Sequence, residues 1–213
     1  MSTYILTSMF HNGFNDKATK VFRQEIAGCK SLAFIASEFE NGYEKTDYYF
    51  RFFLKMFEDI NIHFKKAYVV DGRMTIGEIQ KAVSEADVIW LSGGDTPTQF
   101  AYFQKYGLDK IIKQHNGVVI GMSAGSINLA ETSICTLACG HYKQEIYHGL
   151  GCVNISVEPH FVRSRLSKEV VELSNTYVIY GLCDESLIVC KMKKIEFIGE
   201  VYKINHGKIV QIN

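Results

Sequence analysis

Proline is almost missing from this 213-residue sequence, with only Pro97 and Pro159. There is no proline-rich linker, internal repeat or low-complexity tract, so the chain reads as a single domain over 1–213. Excess charge is missing too. The 23 basic side chains match the 23 acidic ones, and no segment concentrates Lys and Arg. Such a surface has no electrostatic track for a phosphate backbone, which argues against nucleic-acid binding. No run approaches the roughly 18 apolar residues of a membrane span. The start, Met1-Ser2-Thr3-Tyr4-Ile5-Leu6, has neither the basic region nor the apolar stretch of a secretory signal. The six cysteines do not form a disulfide framework. Cys29, Cys152, Cys183 and Cys190 lie in or beside apolar runs, and Cys135 and Cys139 have no second pair at zinc-finger spacing. The expectation is a cytoplasmic protein with reduced thiols, without metal or cofactor.

The sequence does have apolar, β-branched runs alternating with helical stretches. Strands are predicted over 4–8, 31–37, 63–70, 87–92 and 117–120. Helices are predicted over 18–27, 46–60, 75–84, 96–106 and 108–115. Helix 46–60 is crowded with aromatics (Tyr48, Tyr49, Phe50, Phe52, Phe53, Phe57), which read as a face packed on a sheet. This alternation implies an α/β fold with a doubly wound, mostly parallel sheet. Beyond residue 123 the pattern changes to strands at 152–157, 177–182, 186–190 and within 195–212, with a tight turn at His206-Gly207. An antiparallel extension at one edge is expected.

The most informative segment is Gly121-Met122-Ser123-Ala124-Gly125, between the apolar run 117–120 and a helix start at Ser126. In a strand-turn-helix context, G-x-S-x-G is a nucleophile elbow. Its glycines relieve crowding where the backbone turns sharply, and the serine hydroxyl is lifted towards the positive end of the next helix.

Sites on open α/β sheets form beyond the carboxyl ends of the strands. Leu91-Ser92-Gly93-Gly94-Asp95-Thr96 ends one such strand. There a Gly94 amide, with that of Ala124, suits an oxyanion hole, while Asp95 or Thr96 suits a helix cap. Among seven histidines, His160 stands out because Pro159 fixes its approach at the end of another strand. It suits the general base that a serine nucleophile needs. A carboxylate must then hold the imidazole's tautomer. Asp184 and Glu185, just past the strand 177–182, are the leading candidates, with Glu131, Glu145, Glu158, Glu169 and Glu172 as alternatives. Arg163 and Arg165 suit a substrate carboxylate or simply flank a helix.

These blocks resemble the serine peptidases that include dipeptidase E and cyanophycinase. The resemblance rests on Leu91 to Thr96, Gly121 to Ser126, Pro159-His160-Phe161 and the late segment Gly181-Leu182-Cys183-Asp184-Glu185-Ser186, in the family's order and at similar spacing. It implies a fold like that of class I glutamine amidotransferases (flavodoxin-like), with serine in place of cysteine at the elbow. It also implies Ser123 as nucleophile, His160 as base, and the Gly94 and Ala124 amides as oxyanion hole. Asp184 aligns with the family's acidic position, where glutamate is usual. Glu158 replaces the asparagine that dipeptidase E has before Pro-His-Phe, so the resemblance does not extend to strict aspartyl-dipeptide specificity.

The resulting expectation is a serine peptidase acting on short peptides, in a chain compatible with a homodimer. The runner-up is an inactive small-molecule binding or regulatory protein of the same fold. A general esterase of the α/β-hydrolase type needs its acid before its histidine. The absence of aspartate between Asp109 and His160 argues against that order.

Overall fold

Alternate residues of the central strands face opposite cores, and this period of two builds the molecule. The computed structural model describes residues 2–192 and 194–213. Five parallel strands, β1 (Thr3–Thr7), β2 (Ser31–Ile35), β3 (Lys66–Val70), β4 (Val88–Leu91) and β5 (Val118–Met122), lie in the order β1-β5-β4-β2-β3. Leu32 and Phe34 face a core shared with helices α1 (Asp16–Ile26) and α2 (Tyr43–Asp59). Ala33 and Ile35 face the other core, against α3 (Ile76–Ser84), α4 (Thr96–Lys105), α5 (Leu108–Gln114) and α6 (Ala124–Leu129). Both faces are covered, as the unbroken apolar strands require. The aromatic face of α2 does pack on the sheet, with Phe53 and Phe57 against the buried Trp90.

The carboxyl-terminal strands depart from the single edge extension that the sequence suggests. Only β10 (Leu187–Lys191) and β11 (Lys194–Ile198) join the central sheet, antiparallel beside β1. The strands β8 (Ser156–Pro159), β9 (Ile179–Leu182), β12 (Val201–Asn205) and β13 (Lys208–Gln211) form a second sheet, in which β8 and β9 are parallel. Its core of Phe161, Ile179, Tyr202 and Ile204 packs with Val170 of α7 (Lys168–Leu173). The predicted strand at 152–157 is displaced to β8. The amides of Cys152 and Val153 are taken by the carbonyl of Leu129, which ties that segment to the end of α6 instead. A hairpin of β6 (Thr132–Cys135) and β7 (Glu145–His148) went unpredicted. The His206-Gly207 turn is present, with both residues at positive φ, as a two-residue hairpin needs. No helix among the described residues is long and apolar enough to cross a membrane.

Candidate active site

The elbow is held in a conformation that serine adopts only under constraint. Ser123, between β5 and α6, has φ 52° and ψ −108°, a departure that costs about 1–3 kcal/mol. Its N–H donates to the Thr7 carbonyl at the end of β1 (2.9 Å), and its carbonyl accepts from Ser126 and Ile127. The buried Ser126 hydroxyl accepts the Thr7 N–H and lies 2.7 Å from the carbonyl oxygens of Thr7 and Gly121. The flanking glycines are sterically required. A Cβ on Gly121 would lie 2.7 Å from the Gly125 carbonyl carbon, and one on Gly125 would lie 2.4 Å from the Leu91 oxygen.

His160 sits at the carboxyl end of β8 in a left-handed conformation, φ 55°. Its neighbour Phe161 packs flat against Gly181, where a Cβ would come within 2.6 Å of the ring. The His160 Nε2 is 2.9 Å from Ser123 Oγ, and its Nδ1 is 2.8 Å from Asp184 Oδ1. An ionised carboxylate only accepts, so Nδ1 carries the proton and Nε2 is free to accept from the serine hydroxyl. That is the tautomer a general base needs.

Asp184 follows β9 and receives more than the histidine. Ser8 Oγ donates to Oδ1 at 2.5 Å, and His11 Nε2 lies 2.9 Å from Oδ2. Burial by itself pushes the Asp184 carboxyl up. The hydrogen bonds from His160, Ser8 and His11 outweigh it and hold the group well below the usual carboxylate range. Glu185 is not brought to the histidine. It adopts φ 64°, its N–H donates to the Met9 carbonyl, and its carbonyl accepts from the Asn15 amide. Ser8 and His11 escaped the sequence reading. The one available signal was position: Ser8 directly follows β1, where site residues of such sheets collect.

The Gly93-Gly94 segment runs alongside the elbow. A Cβ on Gly93 would lie 3.3 Å from that of Ser123, and one on Gly94, at φ 153°, would strike the Ser37 side chain. Gln99 donates to the Ser92 carbonyl and accepts from Asn128 of α6, so the two turns are tied together beneath the surface. Asp95 caps α4 through the Thr98 N–H, and helix geometry leaves the Ala124 N–H without an intrahelical partner. Arg163 and Arg165 are exposed on a single 3-10 turn. The Arg163 guanidinium lies over the Tyr202 ring and borders a cleft of about 260 Å³ that also touches His160 and Asp184. Neither arginine bonds to the Ser123, His160 or Asp184 side chain among the described residues.

Glu158 lies two residues before His160 and is buried. Its Oε1 accepts from the Thr136 hydroxyl, and its Oε2 has no partner among the described residues. Burial, with Glu169 adding repulsion, raises its pKa to about 7 against the pull of Thr136. Among the described residues no three His, Cys, Asp or Glu side chains are grouped to hold a metal ion.

The model of peptidase family S51 matches residues 5–198. The fold is similar to that of a peptidase from an acI-B1 Actinobacterium, at TM-score 0.73 and 14% identity, covering 99% of this chain and 93% of that one. It is also similar to a candidate peptidase E from Listeria monocytogenes EGD-e, at TM-score 0.67 and 19% identity, covering 92% and 98%. Among curated proteins none matches the sequence significantly.

Proposed function

The chain belongs to peptidase family S51, and from that premise we propose that it is a serine peptidase hydrolysing dipeptides or short peptides through an acyl-enzyme on Ser123. The observation that carries this reading is the continuous chain Ser123 Oγ, His160 Nε2, His160 Nδ1, Asp184 Oδ1, with 2.9 and 2.8 Å at its two links. His160 takes the hydroxyl proton as Ser123 attacks the scissile carbonyl. Asp184 orients the ring and stabilises the imidazolium that forms. The Ala124 and Gly94 amides are the donors for the developing oxyanion, each worth about 10² to 10³ in turnover in such sites. His160 then gives its proton to the leaving amine, and a water activated by the same imidazole releases the acid.

Arg163 and Arg165 are the nearest basic side chains in sequence to His160, and they suit a peptide's terminal carboxylate. The six free cysteines fit a reducing compartment such as the cytoplasm.

A fluorophosphonate probe should label Ser123, located by peptide mapping, and a panel of short peptides should be cleaved. Ser123→Ala should lose labelling and at least about 10⁴ in turnover, with an unchanged unfolding midpoint. Failure of the wild-type protein to label, or retention of more than about a hundredth of turnover by the variant, overturns the assignment.

A further inference from the structure

The loop between β1 and α1, residues 8–15, grips the acidic turn at 184–185 from several sides. The Ser8 hydroxyl is fully buried and joins the base to the acid. It accepts the backbone N–H of His160 at 2.8 Å and donates to Asp184 Oδ1 at 2.5 Å, the same oxygen that His160 Nδ1 meets. The Met9 N–H reaches that oxygen at 3.3 Å. His11 holds the opposite oxygen, Oδ2, at 2.9 Å. Because the carboxylate only accepts, His11 Nε2 must carry a proton. The backbone is fastened as well. Glu185 N–H donates to the Met9 carbonyl at 2.7 Å, and Asn15 Nδ2 donates to the Glu185 carbonyl at 2.9 Å. Glu185 is thereby kept at a positive φ that a glutamate rarely adopts.

The Asp184 side chain is 35% exposed, so its own packing does not fix the carboxylate plane. A carboxylate free to rotate would spend part of its time with neither oxygen in line with the His160 Nδ1–H. Donors on both oxygens remove that freedom before substrate arrives, and such preorganisation is where catalytic constellations gain their rate. Resting on the peptidase reading above, we propose that Ser8 and His11 are positioning residues, which clamp Asp184 in the orientation that supports His160. Ser8 also fixes the backbone of His160, so one hydroxyl sets the distance between the two groups. Ser8 Oγ lies 3.3 Å from His160 Nδ1, and among the described residues neither side chain bonds to Ser123 Oγ or His160 Nε2.

The test compares wild type with Ser8→Ala, Ser8→Thr, His11→Ala and His11→Gln. It measures the rate of fluorophosphonate labelling at Ser123 and the kcat and KM for the best short peptide. Ser8→Ala should lower kcat and the labelling rate roughly 10- to 100-fold with KM within about twofold, and Ser8→Thr, which keeps the hydroxyl, should recover most of it. His11→Ala should lower both about three- to tenfold, and His11→Gln, which restores a donor, should recover them. His11 is exposed, so its variants keep the wild-type unfolding midpoint and decide the matter even if Ser8→Ala does not fold. If wild type labels but the His11 variants, and any folded Ser8 variant, label and turn over at the wild-type rate, the clamp is overturned and the peptidase reading stands. If wild type neither labels nor cleaves, the peptidase reading fails and the clamp falls with it.

Discussion

Glu158→Gln should stabilise the protein at neutral and alkaline pH and leave it unchanged near pH 4.5. The carboxyl is buried with one oxygen unpartnered among the described residues, and its pKa stands at about 7 against an ordinary value of 4.5. Between those two values the folded protein keeps the proton while the unfolded chain has released it. Stability from this group is therefore full below about pH 4.5, falls as pH rises, and is gone above about 7. At about 1.4 kcal/mol per unit, the interval is worth on the order of 3 kcal/mol. Glutamine keeps the acceptor for Thr136 and cannot ionise. It leaves one buried polar atom unpartnered, as glutamate does, so that cost cancels. The buried His115, whose pKa burial pushes down, titrates alike in both proteins and also drops out of the difference. Urea unfolding at pH 5, 6, 7 and 8 should show the variant pulling ahead as pH rises. At pH 8 its melting point should be about 6–12 °C higher. A gap that stays constant from pH 5 to 8, or a more stable wild type at pH 8, refutes the reasoning.

Asp184→Asn should cost several powers of ten in turnover, on the order of 10⁴ in the comparable triad case, while Glu185→Gln stays within a few-fold, since of these two carboxylates Asp184 is the one bonded to the imidazole. The opposite ranking in steady-state assays would move the orienting role to Glu185. Because the Asp184 carboxyl is held below its ordinary range, it stabilises the fold above the unfolded value of about 3.9 and loses that contribution as pH falls further. The stability deficit of Asp184→Asn should therefore shrink on acidification below about pH 4, as followed by circular dichroism. Gly125→Ala should cost at least about 2–3 kcal/mol in urea unfolding, because its methyl would meet the Leu91 carbonyl oxygen, a backbone atom that cannot swing away.

The parallel sheet and its two covering layers were legible because buried strands such as Val118-Val119-Ile120 are apolar on both faces and helices fall between them. The elbow was legible because its glycines are demanded locally, by backbone within a few residues and by Leu91. His160 was a candidate through Pro159, and Asp184, together with Glu185, through its place after a strand. Ser8 and His11 were not legible. Beyond Ser8's position after β1 nothing in the sequence marks them, and their partners arise only when β10 pairs with β1 and carries the 184–185 turn onto the loop. The β6–β7 hairpin was missed because Glu145–His148 alternates between intermediate and exposed residues and shows no apolar face. The partition of the late strands between two sheets was equally hidden. Both halves read as short alternating strands, and the switch falls at Gly199-Glu200, where the Ser186 hydroxyl just before the neighbouring β10 accepts the Glu200 N–H.

The place of β1 between β5 and β10 has a consequence for how the protein is made. On the ribosome β1 emerges before both of its neighbours, so Ile5 must wait for Ile120 on one side and for Val189 on the other. Until residues 187–191 leave the exit tunnel, one margin of β1 has no partner. Such a margin invites pairing with other chains, and pairings this distant in sequence form slowly. The same event that closes it delivers Asp184 to Ser8 and His160. On the proposed mechanism, a nascent chain carrying Ser123 and His160 alone lacks the third member of its triad, so hydrolysis should begin only after residues 187–191 have emerged and β10 has paired with β1.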